Sequence, residues 1–201
     1  MLDKKKILQE IKSWAITIVL AFLLAMVFHS QLYAHVRVNQ NSMETTLMPG
    51  EHLLVDKFSY RWTKPKHGDI IIFLPHGERG SIIDESIRML TSIKNSIFRT
   101  SGDESYVKRV IGLPGDVIDI RDGVVYRNDI ALEEAYTHDD TVTRAISFPL
   151  TVEEDTLFVL GDNRMYSMDG RDFGLIKQNQ VEGKVVVRIY PFSKIGFISS
   201  K

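Results

Sequence analysis

The sequence predicts a mostly β protein, in which an N-terminal transmembrane helix leads into an antiparallel β-sheet domain carrying one short amphipathic helix. Three patterns say so. Residues 14–28 carry no charge and a single hydroxyl, Thr17. After residue 50, short runs rich in Val, Ile, Tyr and Phe alternate with Gly, Pro, Asn and Asp, the texture of strands joined by turns. Between those runs only 82–98 has room for a crossover helix, so the strands should pair antiparallel. A chain of 201 residues is long enough for one domain with a buried core.

Extended to Tyr33, the apolar stretch has about twenty residues, which as a helix covers ~30 Å, the hydrocarbon thickness of a bilayer. Lys4, Lys5, Lys6 and Lys12 precede it, and Trp14 and Tyr33 bracket it as interface aromatics. The positive-inside rule then makes 1–13 cytoplasmic, 14–34 the anchor and 35–201 an extracytoplasmic domain. A cleaved secretory signal has a similar basic start and apolar centre, but Leu32 and Ala34 are a poor small-residue pair for a cut after Ala34. Strands are expected at 52–58, 69–74, 106–111, 116–120, 124–126, 156–160 and 184–190. Pro49-Gly50, Pro114-Gly115 and Asp122-Gly123 mark turns between them. At 82–98, Ile83, Ile87, Leu90, Ile93 and Ile97 recur at helical spacing with charges on the other faces, an amphipathic helix.

Composition excludes several classes of function. Lys and Arg number 25 against 26 Asp and Glu, a net charge of -1, so no global field draws nucleic acid. The absence of Cys rules out disulfides, thiolate metal sites and a cysteine nucleophile. The six His show no ligand spacing, and neither a metal nor another cofactor is expected. Covalent catalysis would have to use Ser, Thr, Lys, Asp or Glu.

Three segments hold chemistry. Asn41-Ser42-Met43-Glu44-Thr45-Thr46-Leu47 places a serine where the chain leaves the apolar stretch. A loop serine ordinarily bonds its own backbone and needs a base to become a nucleophile. No His is in a setting that recommends it, which leaves a lysine held neutral by desolvation. Lys108 sits mid-strand in Ser105-Tyr106-Val107-Lys108-Arg109-Val110-Ile111, where alternation groups it with Tyr106 and Val110 and puts Arg109 on the opposite face. Alternation does not say which cation is buried, but only Lys can titrate. The third segment, 161–174, is the polar loop Gly-Asp-Asn-Arg-Met-Tyr-Ser-Met-Asp-Gly-Arg-Asp-Phe-Gly. There Asp162 with Arg164, and Asp169 with Arg171, are expected to pair and stiffen the loop, with Ser167 between the pairs.

Together these segments resemble the type I signal peptidases, membrane-anchored Ser-Lys endopeptidases that remove signal peptides from exported proteins. SMETTL is similar to that family's Ser-Met-x-Pro-Thr-Leu motif, YVKRVIGLPGD to its lysine box, and GDNRMYSMDGRDFG to Gly-Asp-Asn-Arg-x-x-Ser-x-Asp-Ser-Arg. HLLVDKF and HGDIIIFLP resemble its strands after the nucleophile, and the likeness runs from about 36 to 190. The resemblance implies Ser42 as nucleophile, Lys108 as general base, and Ser167 as the hydroxyl that hydrogen-bonds and orients the amine. Asp162, Arg164, Asp169 and Arg171 support them. It also implies a small β cap inserted at about 121–155 and cleavage after small residues of the Ala-x-Ala kind. The partners it implies are signal peptides of precursor proteins, which bind by strand addition, and membrane lipid, with no nucleic acid and a monomeric enzyme.

Three positions depart from the pattern. Thr45 stands where proline is usual, and Gly170 where serine is usual between Asp169 and Arg171. Both lie outside the inferred dyad, so restoring Pro or Ser is expected to change turnover little. Gln40 stands where some members carry a hydroxyl that serves as second oxyanion donor, and its amide is the candidate here. The helix at 82–98 resembles an insertion. Two other readings stay open: a non-catalytic relative that holds extended peptides during assembly of surface proteins, and a soluble Ser-Lys autoprotease of the repressor type. Retention of both Ser42 and Lys108 argues against the first, the apolar span against the second.

Overall fold

The structure is a computed structural model that describes residues 4–75, 77 and 105–198. The predicted helix at 82–98 lies outside the described residues. Helix α1 (Lys4–Leu32) is one unit and the β-sheets form another. In α1 the described side chains run to Phe22 and Ala25, and the apolar ones among them are exposed. Among the described residues no helix is long and apolar enough to cross a membrane, so the expected span at 14–34 rests on the sequence alone. Its far end is corrected. Tyr33 and Ala34 belong not to a span but to strand β1 (Tyr33–Arg37), which pairs antiparallel with β2 (His52–Asp56).

The larger sheet continues from β2 through β3 (Ile70–Phe73), β4 (Tyr106–Gly112), β9 (Thr156–Leu160), β10 (Ile176–Lys177), β11 (Val181–Tyr190) and β12 (Gly196–Phe197). Its order is β1-β2-β11-β3-β4-β9-β10, with β12 on β11, and its pairs are antiparallel. The second sheet, β7-β6-β5-β8, is built from β5 (Val117–Arg121), β6 (Val124–Arg127), β7 (Ile130–Ala131) and β8 (Leu150–Thr151). The Asp122-Gly123 signal closes the β5–β6 hairpin, with both residues at positive φ as a two-residue turn of that hand requires. Strands β1, β7, β8, β10 and β12 escaped the sequence reading.

The core has three clusters. Ile70 and Ile72 of β3 point to one, with Val38, Leu53, Val55 and Val185, while Ile71 and Phe73 point to a second, with Val110, Leu157, Val159 and Val181. Both faces of the central strands are therefore covered, which is why 70–74 reads as an unbroken apolar run instead of an alternation. The third cluster joins the sheets, as Phe158 and Leu160 of β9 meet Ile118, Val125 and Val152. Met43 and Leu47 are buried in the first cluster. Sinking two such side chains at ~1.5–3 kcal/mol each pins the segment that carries Ser42 against the sheet.

Candidate active site

Strand β4 lies between β3 and β9, and its register sets Lys108 beside Ile71 and Arg109 beside Ile70 on opposite faces. With both faces covered, both cations are buried, each about 1% exposed. Desolvation lowers the Lys108 amine to about 8, although the carboxylates of Asp169 and Asp162 pull the other way. Lys108 Nζ lies 2.8 Å from Ser42 Oγ and donates to the Val107 carbonyl at 3.1 Å. Tyr106, on the same strand face as the alternation places it, holds its ring 5.4 Å from the amine. Ser42 is itself buried and borders a cleft of about 680 Å3 lined by Asn39, Gln40, Glu44, Tyr106, Tyr166 and Met168. Gln40 is exposed on that wall.

The 161–169 loop locks to the serine segment through its backbone. Asn163 N–H donates to the Ser42 carbonyl at 3.1 Å, and the Asn163 side-chain amide donates to the Asn41 carbonyl at 3.1 Å. A methyl group on Gly161 would stand 2.2 Å from Ser167 Oγ and 2.5 Å from the Ser42 carbonyl. Only a residue without a side chain fits between the two serines. Sequence reasoning passed over Asn163, although it stands inside the motif that supplied its neighbours.

The charge pairs differ in part from expectation. Asp162 does not pair with Arg164. Its carboxylate takes a bidentate contact from Arg109, at 2.8 and 2.7 Å, and a hydrogen bond from the Thr46 hydroxyl at 2.5 Å. Arg164 instead forks onto Glu134, at 2.9 and 2.7 Å, and also donates to Gly161 O and the Thr141 hydroxyl. The physical reason is register: β4 pairs Arg109 with Leu160, two residues before Asp162, and a buried guanidinium and a buried carboxylate each need a charged partner. Asp169 and Arg171 do pair, at 2.9 Å twice, and Asp169 also accepts the Gly161 N–H. Burial works to raise the Asp169 carboxyl, but the Arg171 bonds and charge outweigh it and hold it below its ordinary value. Asp169 caps helix α2 (Gly170–Phe173) in a reciprocal box with Asp172.

Ser167 departs from expectation as well. Its hydroxyl is buried and close enough to favour the ionised Asp169, but it makes no hydrogen bond to Lys108 or to another described group. The loop around it is held from outside by Arg144, which donates to the carbonyls of Arg164, Met165 and Ser167 and pairs with Asp172. No local pattern in the sequence pointed to Arg144, Glu134 or Thr46, because their partners lie on distant segments. Among the described residues no group of three or more His, Asp or Glu could hold a metal ion.

Gly170 is tighter than its place outside the dyad suggested. A Cβ there would meet the Phe158 ring at 2.7 Å and the Val159 carbonyl at 2.8 Å. The space a serine would use is filled by Phe158, which packs edge-to-face on Phe148. Gly170→Ser is therefore expected to destabilise the fold by about 1–3 kcal/mol, as overpacking of a filled core does. The check is a urea midpoint: a value equal to that of the parent protein would mean that Phe158 yields at no cost.

The family model described as signal peptidase, peptidase S26 matches residues 11–190. The chain belongs to this family. Among its relatives is a probable signal peptidase I-2 of Synechocystis, 30% identical over 184 residues that cover 91% of this chain and 75% of that one. Signal peptidase I of Bacillus caldolyticus is 33% identical, covering 83% of this chain and 84% of that one. Signal peptidase IB of Staphylococcus aureus is 28% identical, covering 92% and 93%. The S26 match spans the serine segment, β4 and the 161–174 loop together, the three segments on which the resemblance rested.

Proposed function

We propose that this S26 peptidase removes N-terminal signal peptides from exported proteins, with Ser42 as nucleophile and Lys108 as general base. The observation that carries the reading is the 2.8 Å approach of Lys108 Nζ to Ser42 Oγ, in a site dry enough to lower the amine to about 8. An amine so lowered is neutral in a useful fraction of molecules near neutral pH and accepts the hydroxyl proton. Ser42 Oγ then bonds to the scissile carbonyl carbon, the C–N bond breaks, and Lys108 passes the proton to the leaving amine. A water molecule, deprotonated by the same lysine, hydrolyses the Ser42 ester and frees the acid. The tetrahedral oxyanion draws on the Ser42 backbone N–H and the Gln40 amide, groups whose loss in other hydrolases costs ~10²- to 10³-fold in rate.

Asp169, held by Arg171, acts on the lysine through its charge as a positioning residue, and Asp162 and Arg164 position the loop. The substrate lies extended in the cleft and pairs with an exposed sheet edge, with small side chains at the minus-one and minus-three positions, the Ala-x-Ala preference. The uncharged stretch at 14–28 behind four lysines supports a single-pass anchor with a cytoplasmic N-terminus, an extracytoplasmic peptidase domain at 35–201, and a monomer on the membrane. The cap implied at about 121–155 would be the second sheet, whose strands run from Val117 to Thr151.

The test uses the purified full chain and a detergent-solubilised precursor with Ala at minus one and minus three. Ser42→Ala should leave no cleavage above the uncatalysed background, with the urea midpoint retained. Continued cleavage by folded Ser42→Ala would remove the serine from the reaction.

A further inference from the structure

The acid in the cleft wall beside Ser42 has no part in the reaction. Among the described residues that line the cleft, Glu44 alone carries a charge. It stands at the open position of the Ser-Met-x-Pro-Thr-Leu motif, so what it adds belongs to this chain and not to the dyad. Other carboxylates of the sheets that are buried or half-buried hold a cation. Asp162 pairs with Arg109, Asp169 with Arg171, Glu134 with Arg164, Asp69 with Lys184 and Glu51 with Arg188, at 2.5 to 2.9 Å. A carboxylate taken out of water needs such a partner. Glu44 is half-buried as well, but among the described residues it has no ion pair, and its hydrogen bond from the Asn163 side-chain amide is long, at 3.5 Å.

The backbone that carries this acid is fixed. Glu44 N–H donates to the Asn41 carbonyl at 3.1 Å, and Met43 before it is buried in the first core cluster. The wall beside it is apolar and open: Tyr166 is 67% exposed and Met168 61%, and the Tyr106 hydroxyl donates to Met168 Sδ at 3.9 Å. Asn163 ties the acid to that wall, since its backbone carbonyl accepts the Tyr166 N–H at 3.2 Å. Aromatic rings and a thioether beside one unpaired carboxylate match the side chain of lysine or arginine, which is apolar along its stem and cationic at its tip.

We infer that Glu44 makes the cleft select precursors with Lys or Arg at plus two, the second residue of the released protein. The position follows from alternation. A peptide extended enough to pair with a sheet edge turns successive side chains to opposite sides, so the face that presents minus three and minus one to the enzyme also presents plus two. The first two must be small, which leaves plus two as the nearest inward position free to carry a long side chain. At ~3.3 Å per residue it lies ~7 Å from minus one, within reach of a glutamate two residues from the nucleophile. The inference rests on the reading that the cleft holds the precursor, and it names the substrate class that the cleft favours.

The full chain in detergent is given precursor peptides with Ala at minus one and minus three that differ only in Lys or Glu at plus two. Competing in one tube, the Lys peptide should show a kcat/KM at least about tenfold above that of the Glu peptide, the scale of one hydrogen-bonded charge. Both peptides meet the same Lys108, so its protonation cancels from the ratio. Glu44→Gln should bring the ratio close to one and Glu44→Lys should invert it, which a merely structural role would not do. The same exchange at minus two, which faces away, should move the ratio by less than about fivefold, as an exposed charge does. A ratio near one in the parent, a ratio that survives Glu44→Gln, or one of equal size at minus two would overturn the inference. Binding of the same peptides to Ser42→Ala, read as the anisotropy of a labelled peptide, separates this inference from the reading beneath it. A parent that cleaves nothing while Ser42→Ala prefers the Lys peptide would overturn the peptidase reading and leave the cation subsite standing. Cleavage without preference would do the reverse.

Discussion

Lys108→Met is expected to abolish precursor cleavage and to yield a protein at least as stable as the parent at neutral pH. Methionine keeps the apolar stem of lysine and removes only the amine, the group proposed to take the Ser42 proton. The stability half follows from the lowered amine. The unfolded chain binds its proton near 10.5 and the folded protein near 8, so the unfolded state holds the proton more tightly. The resulting cost is absent above about pH 10.5, grows as pH falls toward 8, and is complete below 8. A gap of about 2.5 between the two values corresponds to roughly 3 kcal/mol. The stability difference between Lys108→Met and the parent should therefore widen on going from pH 10.5 to 8 and be level below. In the parent, cleavage should rise through about pH 8 and hold on the alkaline side until another group titrates. Two results would contradict the assignment: folded Lys108→Met that still cleaves, or parent activity that is flat from pH 6.5 to 9.5.

What could be read from the sequence, and what could not, follows from the range of the interactions. The strands of the central sheet stood out because their signals are local. The expected 156–160 strand is β9 (Thr156–Leu160), and 106–111 falls one residue short of β4 (Tyr106–Gly112). Two-residue strands such as β10 and β12 carry no periodicity of their own and exist only because longer neighbours pair with them. The same limit governs the site. Alternation placed Tyr106 and Lys108 on one face, but it describes a single strand and knows nothing of its neighbours. As a central strand β4 has a core cluster against each face, so from Lys108 onward it is buried on both, and Arg109 is as dry as Lys108. The Asp162 to Arg164 pairing failed for a related reason. The spacing is that of Asp169 and Arg171, which do pair, but the fold brings Asp162 a partner 53 positions earlier in the chain and brings Arg164 to Glu134. Long-range pairing also explains why Glu134, Arg144 and Thr46 went unnoticed, since each is an ordinary surface-type residue until the fold brings a buried polar group to it.

That buried pair is where the second large effect is expected. Asp162→Ala should destabilise the protein by about 3–5 kcal/mol, because it leaves the Arg109 guanidinium charged, desolvated and without its carboxylate. Arg109 has little else to fall back on: its remaining acceptors are the Gly68 carbonyl at 3.1 Å and the Thr46 hydroxyl at 3.4 Å. The Tyr136 ring, 3.8 Å from the guanidinium carbon, contributes attraction but accepts no proton. Thr46 loses its own acceptor at the same stroke. Such a loss is a large fraction of the stability of a domain this size, so the urea midpoint should fall far below that of Gly170→Ser. A companion variant separates the cost of a stranded charge from any intrinsic worth of the pair. Asp162→Leu with Arg109→Met removes both charges and fills similar volume, and it should recover most of the loss, as apolar replacement of buried ion pairs often does. The site should register the change as well. The Asp162 charge is one of the two carboxylates that favour the protonated form of Lys108. Whatever folded Asp162→Ala remains should then reach half its maximal cleavage rate at a lower pH than the parent, because the amine has lost part of what holds its proton. A midpoint within 1 kcal/mol of the parent would mean that Arg109 finds water or another acceptor in the folded state. A pH profile that moves toward the alkaline side would mean that the Asp162 charge does not reach the Lys108 amine.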